Sequence, residues 1–487
     1  MSVFTLEAGL AILGLVLLMI EAFKPDISRT TLGLTAITGT AVALVLLPFC
    51  GGALPAFMLP WHQLDTLALF YKGFALVITL LVLWLTLVCS PYLTRFTMEG
   101  KLAEMFSLPL IVCAGMMWMA SARDLVTVFV ALELVTVSFY VLVAYARKSA
   151  FSLEAGVKYL ILGALSTGVL IYGIAWIYGA TGSMSFDGIA RALANPATSK
   201  STALFGAAML LCGLGFKVAA APFHMWVPDV YQGAPTPVTA FLSVGSKAAG
   251  FIVLTRALDA FLVKGSLIAT EIQAVLLVTG ALTVLLGSLP AMFQSSVKRL
   301  LAYSSISHAG YLILALACRD SARFDLSSGG IVAFYLATYL PMTVLGFLGL
   351  GLMRANGLGE EIKDFTGLAK RNPLLALLMT VSFASLAGLP LTAGFLGKLF
   401  VFLGLADHGY WGALSCAVIA AAAGFYYYFR TILAMYTTEG TDTPALSFSG
   451  VTKVVASALA ILILILGVYP KPLQKVLTHE PAAVATK

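Results

Sequence analysis

The chain has 487 residues, 60% hydrophobic and only 10% charged, with a mean hydropathy of +0.98. That balance excludes a soluble globular domain and predicts an all-α polytopic membrane protein. The formal net charge of +7 comes from 29 Lys and Arg scattered over many short loops. Such scattering reads as topology signals in a lipid surround and argues against a nucleic-acid partner.

Apolar runs predict about fourteen spans, at roughly 3–23, 31–49, 67–90, 105–122, 125–146, 154–178, 202–221, 236–258, 272–289, 299–318, 328–353, 373–405, 410–436 and 450–469. The first lacks a basic leader and a small-residue cleavage site, so it reads as a retained span. Three spans (1–103) precede two groups of five, spans four to eight (104–260) and nine to thirteen (261–440). A last helix and tail occupy 441–487. Spans seven and twelve, one in each group, are interrupted at Pro222 and at Gly388-Leu389-Pro390. Matched Gly/Pro-interrupted spans are the pattern of inverted-repeat transporters, so two inverted five-helix repeats are expected, each containing a broken helix. An even number of spans puts both termini on one side. Lys and Arg in or beside the loops number fourteen after odd spans and ten after even ones. The excess places both termini outside.

Charges inside the spans are the candidate functional residues, because ionisable groups at membrane depth mark ion pathways. Glu133 lies nine residues after Asp124, near mid-membrane, where a carboxylate needs a cation or water; Lys217 and Lys158 are the nearest candidates. Lys217 follows an uncharged stretch from Ser201 to Phe216 and precedes Pro222 by five residues, beside a broken helix whose freed backbone must face protein or a wet cavity. Lys247 is too deep in span eight to reach water by snorkelling. Lys398 follows the second break and mirrors Lys217. His224 sits at the first break and His308 is central in span ten; either suits a proton relay, or is a satisfied core histidine. Lys158 lies one turn past Glu154, so an i,i+4 ion pair is the plain alternative to a relay role. Lys72 is expected to snorkel, and Glu7, Glu21 and Arg123 to lie at the interface.

Six cysteines (Cys50, Cys89, Cys113, Cys212, Cys318 and Cys416) stand singly, which disfavours an iron–sulfur or zinc site. No phosphate-binding loop, dinucleotide fingerprint or haem-ligand pair is present. A proton path without an engine implies either gradient exchange or a partner that supplies the energy.

The stretch from Lys217 through Pro228-Asp229-Val230-Tyr231-Gln232-Gly233-Ala234-Pro235 resembles the antiporter-like membrane subunits of NADH:quinone oxidoreductase, respiratory complex I. So do Arg299 to Tyr311 and Gly388 to Lys398, and the resemblance covers nearly the whole chain. Among the family's three antiporter-like types it is similar to type N. Lysine rather than glutamate at 398 argues against type M, and no long lateral helix as in type L follows span fourteen. The resemblance implies a midplane row in which Glu133, Lys217, Lys247 and Lys398 hold the principal positions, with Lys158, His224 and His308 also on family positions. It implies proton translocation in a bacterial cell membrane, driven by electron transfer from NADH to quinone in partner subunits of the same complex. Flavin mononucleotide, iron–sulfur clusters and quinone would belong to those partners, with no cofactor or metal on this chain. Two other readings stay open: a cation/proton antiporter subunit of a multisubunit exchanger, and a non-transporting scaffold whose charges merely pair.

Overall fold

Short polar side chains at the ends of apolar runs set where the helices begin. Asp65 accepts from the Ala68 N–H, Asp124 from Val126 and Thr127, Ser296 from Arg299, Ser327 from Gly330 and Asn372 from Leu375. Each supplies a partner for first-turn N–H groups that the helix cannot satisfy itself. The computed structural model describes residues 3–50, 58–97, 100–318, 326–437 and 448–478. The end of the expected C-terminal tail, 479–487, lies outside them.

The described residues form helices α1 (Val3–Phe23), α2 (Arg29–Leu46), α3 (Thr66–Leu93), α4 (Ala103–Ala120), α5 (Leu125–Val143), α6 (Ala150–Thr181) and α7 (Phe186–Leu193). There follow α8 (Lys200–Val218), α9 (Val227–Gly233), α10 (Thr236–Phe241), a π-helical turn (Leu242–Ser246) and α11 (Lys247–Phe261). The rest are α12 (Ala269–Ala291), α13 (Val297–Ala317), α14 (Ser328–Ala355), α15 (Leu368–Arg371), α16 (Pro373–Ala387), α17 (Ala393–Asp407), α18 (Trp411–Tyr436), α19 (Gly450–Val468) and α20 (Lys471–Thr478). Thirteen helical segments among the described residues are long and apolar enough to cross a bilayer. The fourteenth span is discontinuous: α16 and α17 have 15 residues each, about 22 Å apiece, and only together reach across the ~30 Å hydrocarbon layer. The short amphipathic α7 and the terminal α20 were not expected from the sequence.

Two five-span sets have matching order. In the first, α4 packs on α5 and α6 on α8; in the second, α12 packs on α13 and α14 on α16. The broken elements α8–α9 and α16–α17 stand at corresponding places. The helices α1, α2 and α3 pack beside the first set, with α3 also against α14. Polarity is inside out relative to a soluble protein: Leu160, Ile161 and Leu165 on α6, and Ile461, Leu464 and Ile465 on α19, are exposed, whereas Lys72, Lys217, Lys247 and Lys398 are buried. Glycines let the backbones meet closely. A Cβ on Gly213 of α8 would lie 2.6 Å from Leu170 Cβ and 2.9 Å from Leu170 Cα on α6. Gly213→Leu should therefore destabilise the protein by about 1–3 kcal/mol through overpacking, read as a lower thermal midpoint of the detergent-solubilised protein.

Candidate functional site

The first break is built around the end of α8. Ala219 takes the left-handed conformation (φ 63) and the Ala220 N–H returns to the Gly215 carbonyl, closing the helix. The polar groups freed downstream find side-chain partners: Ala221 N–H donates to Thr283 Oγ1 on α12 (2.8 Å), and Trp226 Nε1 donates to the Phe216 carbonyl (3.1 Å). Lys217 lies in the last turn of α8, where the helix dipole favours a cation. Its Nζ donates to Thr136 Oγ1 (3.0 Å) and lies 3.9 Å from Glu133 Oε1. Glu133 is held by Thr167, whose hydroxyl donates to Oε1 at 2.9 Å. The Lys217 side chain is 5% exposed and that of Glu133 25%, so the pair reaches from the core toward the edge.

Lys247 sits at the junction of the π-turn and α11, an irregularity that re-aims the helix face. Gly250, one turn further on, packs against the end of α8: a Cβ there would be 2.7 Å from Val218 Cγ1 and 3.7 Å from Lys217 Cβ. Lys247 Nζ donates to the Ser305 carbonyl on α13 and lies 5.5 Å from the Tyr339 ring centre. Hydroxyls crowd around it: Ser243 Oγ is 2.9 Å from Tyr339 Oη, and Ser305 Oγ is 3.3 Å from both Ser243 Oγ and Tyr231 Oη. One turn past Ser304, His308 packs its ring 4.9 Å from that of Tyr339, and its Nδ1 is 2.7 Å from Tyr335 Oη. His308 is within electrostatic reach of both Lys247 and Lys398.

The second break ends α16 at Gly388, whose φ of +93 an L side chain rarely adopts. Lys398, one turn into α17, folds back onto that end. Its Nζ donates to the Leu386 and Ala387 carbonyls (2.9 and 2.8 Å) and lies 5.5 Å from the Tyr311 ring. Lysine thus caps orphan carbonyls at the negative end of a helix dipole. Glu133, Lys217, Lys247, His308 and Lys398 thus fall in a row with one break. Among the described residues no hydrogen bond links the Glu133–Lys217 pair to the Lys247 cluster, whereas His308 approaches Lys398 through the stacked rings of Tyr335 and Tyr311, 6.4 Å apart. The ammonium groups in this row find the Thr136 hydroxyl, main-chain carbonyls and one carboxylate; the nearby hydroxyls, which both donate and accept, are suited to passing protons.

The family description "NADH:quinone oxidoreductase/Mrp antiporter, TM" matches residues 122–424, more than half of the chain. NADH-quinone oxidoreductase subunit N of Desulfitobacterium hafniense is 37% identical over 500 residues, covering 99% of both chains. The subunit N of Rhodospirillum rubrum is 38% identical over 92% of this chain and 89% of its own length. The chain belongs to the NADH:quinone oxidoreductase/Mrp antiporter membrane family. Among solved structures, a chain of respiratory complex I from Thermus thermophilus superposes with a TM-score of 0.80 at 32% identity, over 97% of this chain and 99% of that one. A chain of the Mrp complex from Dietzia shares the fold, with a TM-score of 0.78 at 23% identity, over 98% and 96% of the two chains.

Within this family framework the remaining expected residues lie off the row. Lys158, 40% exposed at its side chain, pairs with Glu154 Oε1 (2.6 Å) and also with Asp229 Oδ2 (2.8 Å), whose other oxygen accepts from Arg299 (3.0 Å). The plain i,i+4 pair is therefore present, extended into a bridge to the first break. His224 lies in the turn between α8 and α9, half-buried, with no hydrogen bond to Nδ1 among the described residues. Two expectations fail. Lys72 does not snorkel and Glu7 is not interfacial: both are buried and ion-paired across α3 and α1, because Lys72 points into the α1–α4 packing.

The groups Tyr231, Ser243, Ser305, Tyr335 and Tyr339 escaped the sequence reading, which weighed charged residues, histidines and cysteines but not hydroxyls; Ser and Tyr recurring on α13 and α14 were the available signal. Arg256 was missed too. It donates to Asp65 Oδ1 (2.7 Å) and the Ala120 carbonyl (3.2 Å), tying α11 to the start of α3. Burial raises the Asp65 carboxyl, but hydrogen bonds and charge from Arg256 outweigh it and hold it below the usual carboxylate range. With the folded value depressed, the pair's stabilisation is present at neutral pH and fades as pH falls below about 4. The thermal-midpoint difference between the parent protein and Arg256→Met should shrink over that fall. Among the described residues no three His, Cys, Asp or Glu side chains converge as metal ligands.

Proposed function

We propose that this chain is the type N proton-translocating subunit of a bacterial NADH:quinone oxidoreductase, moving protons along Glu133, Lys217, Lys247, His308 and Lys398. The observation that carries the reading is the placement of buried ionisable groups at both broken helices, a carboxylate–lysine pair at one and a lysine-capped carbonyl pair at the other, with the Lys247–His308 hydroxyl cluster as a third such group. Relatives named as subunit N, matched over nearly their whole length, support the choice of complex. In this reading electron transfer occurs on partner subunits that carry flavin mononucleotide, iron–sulfur clusters and quinone, and this chain contributes the translocase half of the reaction. Both termini lie outside the cell membrane. Lys158 and His224 serve as side stations, Lys158 through its Asp229 bridge to the first break.

The driving step is electrostatic. At an effective dielectric near 20, charges 3.9 Å apart attract by about 4 kcal/mol. Screening at the quarter-exposed Glu133 reduces that figure. A rearrangement that draws Glu133 away weakens the hold of Lys217 on its proton, which passes to Lys247 and through the hydroxyls and His308 toward Lys398.

A second reading, a cation/proton exchanger subunit, draws on the family description shared with Mrp antiporters. Gentle-detergent purification of the tagged chain from native membranes separates the two. Co-purifying flavin and iron–sulfur subunits with NADH:quinone reductase activity are the expected result. Partners that are only antiporter-like membrane chains, without that activity, overturn it.

A further inference from the structure

A second buried ionisable cluster lies outside both five-span sets, where α1 and α3 meet the end of α4. Glu7 on α1, Lys72 on α3 and His62 in the segment leading into α3 are all buried. Lys72 Nζ donates to Glu7 Oε1 and to the Met117 carbonyl (2.8 Å), so one carboxylate oxygen is taken up. The other, Oε2, faces His62 Nε2 at 3.6 Å, too long for a hydrogen bond, and His62 Nδ1 has no partner among the described residues. His62 is held in place by its main chain: its N–H donates to the Met58 carbonyl (3.0 Å), and it bridges to Ala122. A buried imidazole that makes no hydrogen bond through either ring nitrogen, 3.6 Å from a carboxylate oxygen that accepts none, leaves a polar gap that one added proton would close.

We propose that Glu7, Lys72 and His62 form a further proton-holding site, with His62 as the group that loads and releases. In the unloaded state Lys72 carries the proton that balances Glu7, and the cluster is neutral. A proton arriving at His62 Nε2 creates a charge-assisted hydrogen bond to Glu7 Oε2, and the cluster becomes singly positive. Release restores the neutral imidazole; no other bond changes.

Among the described residues few titratable groups face the cluster. Cys113 on α4 is within electrostatic reach of Glu7, and Tyr71 neighbours Lys72 and feels Arg256. Arg256 itself is engaged by Asp65, and Arg123 turns away to Asp187 at 2.9 Å. Lys72 is six residues into α3, roughly 9 Å from the helix start. That start is the face which the loop charges assign to the outside, so the cluster is placed to release protons there. Its role as an outlet rests on the proposed function; its ability to load a proton does not.

The test uses the intact complex containing the full chain, its histidines isotopically ring-labelled, and infrared difference spectra across a pH titration. A titrating histidine band that is lost in His62→Gln is expected, as is loss of most proton translocation with NADH:quinone turnover measured alongside. The neutral double variant Glu7→Gln with Lys72→Met, which leaves no unpaired buried charge, should retain assembly and shift the His62 band. Absence of any titrating band attributable to His62, or an unshifted band in the double variant, overturns the site. Normal translocation in Lys247→Met with the His62 band intact would instead overturn the proposed pathway and leave the site standing.

Discussion

Lys247→Met in the assembled complex should lower proton translocation per electron pair by at least roughly tenfold, equivalent to about 1.4 kcal/mol or more on the transfer barrier. Met retains most of the side-chain volume where α11 packs on α13 and α14, so packing is preserved. What is removed is the amine between Lys217 and the Ser243–Ser305–Tyr339 hydroxyls. No carboxylate lies within ion-pair distance of Lys247 among the described residues, so the substitution strands no buried charge. That separates it from Lys217→Met, which among the described residues leaves Glu133 with the Thr167 hydroxyl as its hydrogen-bond partner.

Removing one member of a buried ion pair costs about 3–5 kcal/mol when both are desolvated, and less at a quarter-exposed carboxylate. Lys217→Met should thus lose translocation with some loss of stability, and the double variant with Glu133→Gln should recover stability without recovering translocation. Proton uptake by inside-out vesicles, with NADH oxidation recorded in parallel, gives the first quantity, and thermal midpoints the second. Normal pumping in both single variants would falsify the row as a proton path.

The spans were legible because hydropathy and length are local properties, and the broken helices because Pro222 and Gly388-Leu389-Pro390 interrupt them in register. Glu133, Lys217, Lys247 and Lys398 were legible for the same reason: a charge in a long apolar run stands out whatever its partners. Partners are not local. Nothing in the spacing of Ser243, Ser305 and Tyr339 shows that three helices bring them together, and the π-turn that aims Lys247 at them has no composition signal. Glu7 and Lys72 were misread for a related reason. Their closeness to span ends suggests snorkelling, but whether a side chain near a helix end meets water or another helix depends on the neighbours, here α1 and α4. Lys158 shows the reverse: its partner Glu154 was visible at i,i+4, whereas Asp229, brought in by the first break, was not.

Lys398→Glu should be the most damaging single change at the second break, although a glutamate preserves ionisability there. The lysine ammonium is aimed at the Leu386 and Ala387 carbonyls, the unsatisfied end of α16, and makes a contact that only a donor can make. A carboxylate in its place would set its oxygens against carbonyl oxygens at the negative end of the helix dipole. The lost charge-assisted bonds alone are worth about 1.5–3 kcal/mol each, before repulsion is counted. The backbone cannot easily turn away, because Gly388 already holds a left-handed conformation and its α-carbon face lies against the lysine: a Cβ there would be 3.1 Å from Lys398 Cδ. Lys398→Gln keeps an N–H donor for one carbonyl and should assemble nearly normally while losing translocation. Lys398→Glu should lose translocation and lower the thermal midpoint as well. Equal midpoints for the two variants would show that the lysine's contact with the end of α16 contributes nothing to holding the broken helix, and that Lys398 matters for its proton alone.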